Sequence, residues 1–335
     1  MSDIKVGIVG CGHLGYFHIK NLIELQKERK DFEIIGVFDI DSSKSGKINK
    51  EFNLKIFDSL LDLFENINTA IIVTPTTTHY NISRLAIEKN INAFIEKPIT
   101  DKISDANELL EFANIKNVKI QVGHIERYNP ALLALEDMEL NPLFIESHRL
   151  SEFNPRGADV SVIMDLMIHD IDIILSLVNS KIISIEANGV AVITNKIDIA
   201  NARLNFENGC VANLTASRIS LKKMRKMRIF QKNAYISIDF MKSQSEIFSI
   251  LKEGTSIDNP KALVVPMEYD NKKIRILYES KTVSNINPMK FELNKFFDSI
   301  VENIKPEVDI EAAVEAVEAA QKIIDKINKS VKFTG

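Results

Sequence analysis

Over the first 120 or so residues, apolar positions fall in short unbroken runs separated by stretches at helical spacing. Residues 4–9 form one run, ending in glycines, and 14–25 follow with helical periodicity. The runs at 33–38, 70–73, 93–95 and 118–122 read as further strands, with helices such as 81–88 and 104–113 between them. Strands that are apolar throughout and alternate with helices predict a parallel sheet covered on both faces.

The period changes after about Gly123. Residues 201–206 alternate polar with apolar, Asn208-Gly209 supplies a turn, 210–216 continue beyond it, and 234–240 alternate again. Runs of period two joined by Asn-Gly predict antiparallel strands with one buried face. A helix is predicted over 160–178, and two more over 288–303 and 310–327 close the chain.

Composition mainly excludes. A chain of 335 residues suggests two domains, and 45% hydrophobic with 26% charged residues is a globular balance. The net charge of −4 offers no basic footprint for nucleic acid. No apolar run approaches the roughly 18 residues of a membrane span, and the N-terminal residues lack a secretory pattern. Cys11 and Cys210 are too few for a disulfide framework or a Cys-rich zinc site, and no metal is expected. A cytoplasmic protein is expected.

Gly10-Cys11-Gly12-His13-Leu14-Gly15 is G-x-G-x-x-G between the first strand and the first helix. The first glycine allows the tight turn, the second a close approach to a pyrophosphate, and the third close packing of helix on strand. Asp39 ends the second strand, where a carboxylate can accept both ribose hydroxyls and repel a 2′-phosphate. NAD is therefore expected over NADP, although Ser42, Ser43 and Lys44 nearby could host a phosphate. The plainer reading of Asp39 is a loop or helix-capping carboxylate. Thr74-Pro75-Thr76-Thr77-Thr78-His79 follows the central strand, so Thr74, Pro75, Thr76 and His79 are expected to line the cofactor, unless the threonines only cap a helix. Cys11 and His13 are read as loop residues, neither metal ligands nor nucleophiles.

Glu96-Lys97-Pro98 lies just past the next strand, and Pro98 biases Lys97 toward an extended backbone. A surface Glu-Lys pair is common; at this place Glu96 and Lys97 become candidates for the cofactor site and Lys97 for catalysis. The predicted helix 160–178 is apolar on most sides. At 100° per residue, Asp165, His169, Asp172 and Ser176 fall within about 60° of each other. Buried polar groups cost free energy unless satisfied, so such a stripe faces a wet crevice or a hydrogen-bond network. A histidine one turn from an aspartate is an oriented acid–base group, with a structural His-Asp pair as the alternative.

Together these motifs resemble the Gfo/Idh/MocA oxidoreductases, in order and over essentially the whole chain. The resemblance implies an α/β chain with an N-terminal Rossmann NAD-binding domain over 1–123. An α+β domain with an open, mainly antiparallel sheet over 124–335 follows, binding substrate on one face and forming a homodimer or homotetramer with the other; the last helices can pack back on the first domain. It makes Lys97, Asp165 and His169 the catalytic group, with Lys97 and His169 also touching substrate. A narrower likeness lies in Val122-Gly123-His124-Ile125-Glu126-Arg127-Tyr128-Asn129-Pro130, His148-Arg149 and Asn154-Pro155-Arg156-Gly157. These are similar to a bacterial subgroup that oxidises C3 of UDP-N-acetylglucosamine, associated with 3-amino sugars of lipid A. That likeness implies a substrate site including His124, Arg127, Tyr128, Arg149, Arg156 and Asp172, in which Arg127, Arg149 and Arg156 could pair with a diphosphate. The alternatives are a myo-inositol or simple sugar dehydrogenase and a non-catalytic NAD(H)-binding sensor. A sensor needs none of Lys97, Asp165 and His169.

Overall fold

The computed structural model describes residues 4–155, 160–251, 263–269 and 272–331. The chain divides into two units, Met1–Ile125 with Asn287–Val317, and Glu126–Ile286 with Glu318–Gly335. The sequence reading gave 124–335 to the second domain and let the last helices pack back on the first; 287–317 groups with the first unit. Phe296 and Phe297 explain this, because both belong to that unit's core.

In the first unit β1 (Ile4–Val9), β2 (Phe32–Phe38), β3 (Thr69–Ile72), β4 (Asn92–Glu96) and β5 (Ile120–Gly123) form a parallel sheet in the order β2-β1-β3-β4-β5. β1 and β3 are buried at nearly every position, as strands covered on both faces must be. Helices α1 (His13–Glu28), α2 (Ser42–Phe52), α3 (Leu60–Glu65), α4 (Thr76–Glu88) and α5 (Ile103–Lys116) connect them. Gly15, His18, Ile19, Leu22 and Leu25 of α1 are buried at a spacing of three to four, one face of a helix. α4 begins five residues before its predicted start, at the threonines taken for a loop. Pro75 caps it, and the Thr78 hydroxyl donates to the Pro75 carbonyl.

In the second unit the strands are β6 (Phe144–Leu150), β7 (Ile182–Val190), β8 (Ile199–Phe206), β9 (Val211–Ser217), β10 (Met224–Gln231), β11 (Ala234–Asp239), β12 (Gln244–Leu251), β13 (Leu263–Tyr269) and β14 (Lys272–Lys281). Their order is β13-β14-β12-β11-β10-β6-β9-β8-β7, antiparallel throughout except for β6 beside β9. Ile145, Leu204, Leu214, Ile229 and Ile238 lie on the buried face. The opposite face carries an aromatic ladder across five strands, Phe144–Phe230–Tyr235–Phe248–Tyr278, with centroids 4.9–5.8 Å apart. β6 escaped the period-two reading because its buried face carries Ser147 and Arg149.

The short helix α6 (Pro130–Leu133) precedes the sheet. The predicted helix 160–178 is a π-helical turn, Ile163–Met167, running into α7 (Ile168–Val178). α8 (Pro288–Val301) and α9 (Ile310–Val331) follow. Among the described residues, no helix is long and apolar enough to cross a membrane.

The turn between β7 and β8 is built around one carboxylate. Asp198 is fully buried and its Oδ2 accepts from the backbone N–H groups of Val192, Ile193 and Thr194 at 2.7–2.9 Å. Burial alone would raise its pKa, yet these bonds and the Thr194 hydroxyl hold it down at about 2. A depressed carboxyl contributes stability above its unfolded pKa of about 3.9 and loses it as pH falls toward the folded value. Asp198→Ala should therefore lower the thermal midpoint at neutral pH. Its deficit relative to the native protein should shrink as pH falls from about 4 toward 2; a deficit constant with pH would refute the assignment.

Candidate active site

The residues expected at the cofactor lie about the carboxyl edge of the first sheet. Gly10 has φ +104°, and a Cβ there would sit 2.3 Å from the Val73 carbonyl oxygen. A Cβ on Gly15 would meet the Gly10 carbonyl oxygen at 2.1 Å, so helix and loop touch through bare backbone. Nothing lies within 4 Å of where a Gly12 Cβ would stand, so this position faces open space. His13 and Leu14 are exposed beside it. Asp39 draws the loop closed: Oδ2 accepts from Cys11 N at 2.7 Å and Oδ1 from Asp41 N at 2.8 Å. The loop role and the ribose role are compatible, since each carboxylate oxygen accepts more than one bond. Asp41 caps α2 and takes up Ser43 and Lys44, two of the groups that could have hosted a 2′-phosphate. Burial, then the Asp39 charge, push the Cys11 thiol up to about 12, which removes it as a nucleophile.

His79 has a different place from the one expected. It is buried, with Nδ1 2.9 Å from the Pro98 carbonyl oxygen and Nε2 2.9 Å from that of Thr74. Burial holds its pKa below the usual value despite both carbonyls, and a neutral ring can donate to only one of them at a time. His79 thus struts the Thr74 loop against the Lys97-Pro98 turn and does not line a cofactor surface. Thr74 and Thr76 are half-buried and Pro75 is exposed. Glu96 ends β4, where its carboxylate meets His18 Nε2 at 2.6 Å and the Lys97 backbone N–H at 3.2 Å. Burial opposes its charge, but the His18 bond and the Lys97 charge keep its pKa low. The Lys97–Pro98 peptide is cis, and Lys97 is half-buried.

In the second unit, Asp165 lies within the π-turn and His169 in the first turn of α7; both are half-buried. A π-turn closes i→i+5 bonds and often marks a functional position. The rest of the expected stripe diverges. Asp172 is 1% exposed and held by Arg127 through two bonds of 2.7 Å, while Ser176 is exposed and bonds back to Ile173. Arg149 is 2% exposed, clamped by Asp170 at 2.9 and 3.0 Å and by Glu126 at 2.9 Å. Burial would lower its pKa, but these carboxylates raise it further. Arg127 and Arg149 are therefore committed to internal carboxylates, not left for a diphosphate. Tyr128 and His124 are buried as well, in the second and first unit respectively, and Arg156 lies outside the described residues.

The sequence reading missed Glu126, Asp170, Lys223 and Arg225. Asp170 carried a signal: an aspartate on the apolar side of a buried helix demands a buried cation. A cavity of about 760 Å³ joins Asp165 and Leu166 with Asn154, Phe240, Lys223 and Arg225. The Arg225 side chain is half exposed and spends one N–H on Glu126 at 3.1 Å. A second cavity, about 790 Å³, is walled mainly by Val190, Ile197, Ile324 and Ile327 and lacks Asp165; His169 lines neither cavity. No group of three or more His, Cys, Asp or Glu that could hold a metal occurs among the described residues.

A glycine loop at a helix start, an acidic group after β2 and a separate sheet-bearing unit suit a nucleotide-dependent oxidoreductase. Comparison with known proteins agrees. Residues 4–124 match the oxidoreductase family model GFO_IDH_MocA, an NAD-binding Rossmann fold, and residues 144–237 match the GFO/IDH/MocA C-terminal domain. The chain belongs to the Gfo/Idh/MocA family and is an NAD-dependent oxidoreductase acting on CH–OH groups. It is 36% identical over 249 residues to the UDP-N-acetylglucosamine 3-dehydrogenase of Acidithiobacillus ferrooxidans, covering 74% of this chain and 78% of that one. The solved structure of that enzyme superposes with a TM-score of 0.85 at 30% identity over 97% of each chain. The scyllo-inositol 2-dehydrogenase (NAD(+)) of Bacillus subtilis is 26% identical over 237 residues, 65% of this chain and 68% of its own.

The open space at Gly12 and the bare-backbone contact at Gly15 fit a dinucleotide pyrophosphate, and Asp39 with Asp41 suits a ribose without a 2′-phosphate. Native protein should bind NAD more tightly than NADP by calorimetry, and Asp39→Ala should narrow the ratio; equal native affinities would refute the ribose assignment. Removing Arg149 leaves the buried Asp170 without its cation and Glu126 with Arg225 alone. Arg149→Met should cost about 3–5 kcal/mol of stability, read as a shift in the denaturant midpoint.

Proposed function

We propose that this enzyme oxidises a secondary hydroxyl of a sugar nucleotide, with C3 of UDP-N-acetylglucosamine the substrate position. The observation that carries the reading is the cavity in the second unit that holds Asp165 together with Lys223 and Arg225. It offers a carboxylate for the acid–base end and the half-exposed Arg225 for an anionic end, Lys223 being paired there with Glu152, and a free sugar or inositol needs only the first. The relative at 36% identity supports the same choice.

NAD supplies the hydride acceptor, and the residues handle the proton. As the carbinol carbon loses hydride, its hydroxyl proton passes to His169 Nε2 or Nδ1, with Asp165 orienting the imidazole and stabilising its charge. Lys97 holds the same oxygen and stabilises the negative charge that develops on it. The reverse assignment makes Lys97 the base and His169 the orienting group. The product is a 3-keto sugar, ready for an aminotransferase and so for 3-amino sugars of the lipid A kind. A cytoplasmic enzyme belongs to this reading, as does a homodimer or homotetramer assembled through the second sheet. The aromatic ladder on that sheet supports the assembly, since contiguous apolar patches mark interaction surfaces.

NADH formation with UDP-N-acetylglucosamine, and none with N-acetylglucosamine or inositol, is the expected result. Turnover of inositol alone would transfer the reading to the polyol dehydrogenases, and NAD binding without any turnover would make the protein a sensor. Lys97→Met should retain NAD binding and lose about 10²-fold or more in kcat. His169→Asn and Asp165→Asn should each damage kcat, with losses far from additive in the double variant and thermal midpoints close to native. Lower midpoints with unchanged activity per folded molecule would assign both side chains to structure.

A further inference from the structure

We propose that His18 is a positioning residue that fixes Lys97 through the Glu96 carboxylate; the proposal rests on the catalytic role given to Lys97 above. His18 lies in the second turn of α1, whose start receives the glycine loop, and is fully buried. Its Nε2 stands 2.6 Å from Glu96 Oε1, while Glu96 Oε2 accepts from the Lys97 backbone N–H. The imidazole therefore ties the helix at the glycine loop to the turn that presents the lysine.

The surroundings restrict the carboxylate further. A Cβ on Gly123, at the end of β5, would approach the Glu96 carboxylate atoms to 3.0–3.2 Å, so a bare backbone makes room for it. The His18 ring rests against Phe94, with centroids 5.3 Å apart. Nδ1 is buried with no hydrogen-bond partner, so a proton there would be an unsatisfied donor. The arrangement calls for the tautomer with its proton on Nε2, donated to Glu96. An apolar side chain would fill this layer at no desolvation cost, which leaves the bond to Glu96 as what the histidine adds.

The consequence concerns the next residue. A carboxylate free to turn competes for the neighbouring ammonium and draws it from a substrate hydroxyl. Held by His18 on the α1 side, Glu96 keeps its charge near Lys97 in one fixed position. A displacement of about 1 Å in a reacting group costs on the order of 10²-fold in rate.

Three variants test this: His18→Leu, which removes the donor, His18→Gln, whose amide N–H can replace Nε2–H, and Glu96→Gln. In His18→Leu we expect kcat to fall about 10- to 100-fold, with KM and calorimetric NAD affinity near native. His18→Gln should recover most of the loss, and His18→Leu combined with Glu96→Gln should lose little more than the worse single variant. Crystal structures of native and His18→Leu protein with NAD should show the Lys97 Nζ displaced. Unchanged kcat in His18→Leu, a loss that His18→Gln does not restore, or an unmoved Lys97 each overturns the proposal. If native protein oxidises neither UDP-sugars nor inositol, the functional reading fails separately, and the position of Lys97 in the two crystal structures still decides this one.

Discussion

A single buried guanidinium governs the interior of the second unit. Arg149 on β6 reaches Asp170 on α7 and Glu126 in the 3-10 turn Ile125–Tyr128, and Glu126 in turn holds Arg225 on β10. Four elements meet at two carboxylates and two cations, so formal charges balance within the cluster. Taking such ions out of water is expensive, and the attraction repays it only while every partner is present. The cost of breaking the cluster therefore fixes the rotation of α7 on the sheet. Asp172 and Arg127 add a second bidentate clamp two residues further along the same helix. Asp170 and Asp172 are held inside, while Asp165 and His169 are half-buried at the N-terminal end.

The first unit is governed by close backbone approach. Gly10, Gly15 and Val73 bring loop, helix and central strand into contact where any side chain would intrude. Asp39 then closes the loop by accepting from Cys11, and Glu96 performs the comparable task three strands over, at the end of β4, by accepting from Lys97. In both places a carboxylate at a strand end serves the fold and stands beside the residues that serve chemistry. Such groups carry their charge at low cost because backbone or imidazole N–H groups already face them.

This arrangement explains what could be read from the sequence. The parallel sheet was legible because its strands are apolar on both faces, and the glycine loop because spacing and strand context coincide. Asp39 was legible as a strand-end carboxylate, although its two backbone bonds were not. The stripe on helix 160–178 failed at Asp172 because regular 100° steps ignore both the π-turn and the pull of Arg127. The arginines were misplaced for a related reason. A sequence shows that Arg127 and Arg149 are cations but not that Asp172, Asp170 and Glu126 lie opposite them, since those pairings depend on tertiary contacts 21 to 45 residues apart. His79 gave a pattern that suited a ligand and a strut equally.

Burial sorts the cations of the second unit into two kinds, and this bears on recognition. Arg149 has Nε and both terminal nitrogens bonded to carboxylates and its guanidinium over the Phe240 ring, so offering it a phosphate would first strip it from Asp170 and Glu126. Arg225 spends one N–H on Glu126, which it shares with Arg149, and its side chain is half exposed beside Asp165's cavity. The first arrangement builds a rigid floor; the second leaves a planar, multidentate donor at the surface of that floor, as anion recognition requires. Specificity for an anionic sugar thus does not need the arginines that sequence spacing singles out. It can arise from β10, whose second residue, Arg225, stands at Asp165's cavity because the buried cluster holds that strand in register with β6.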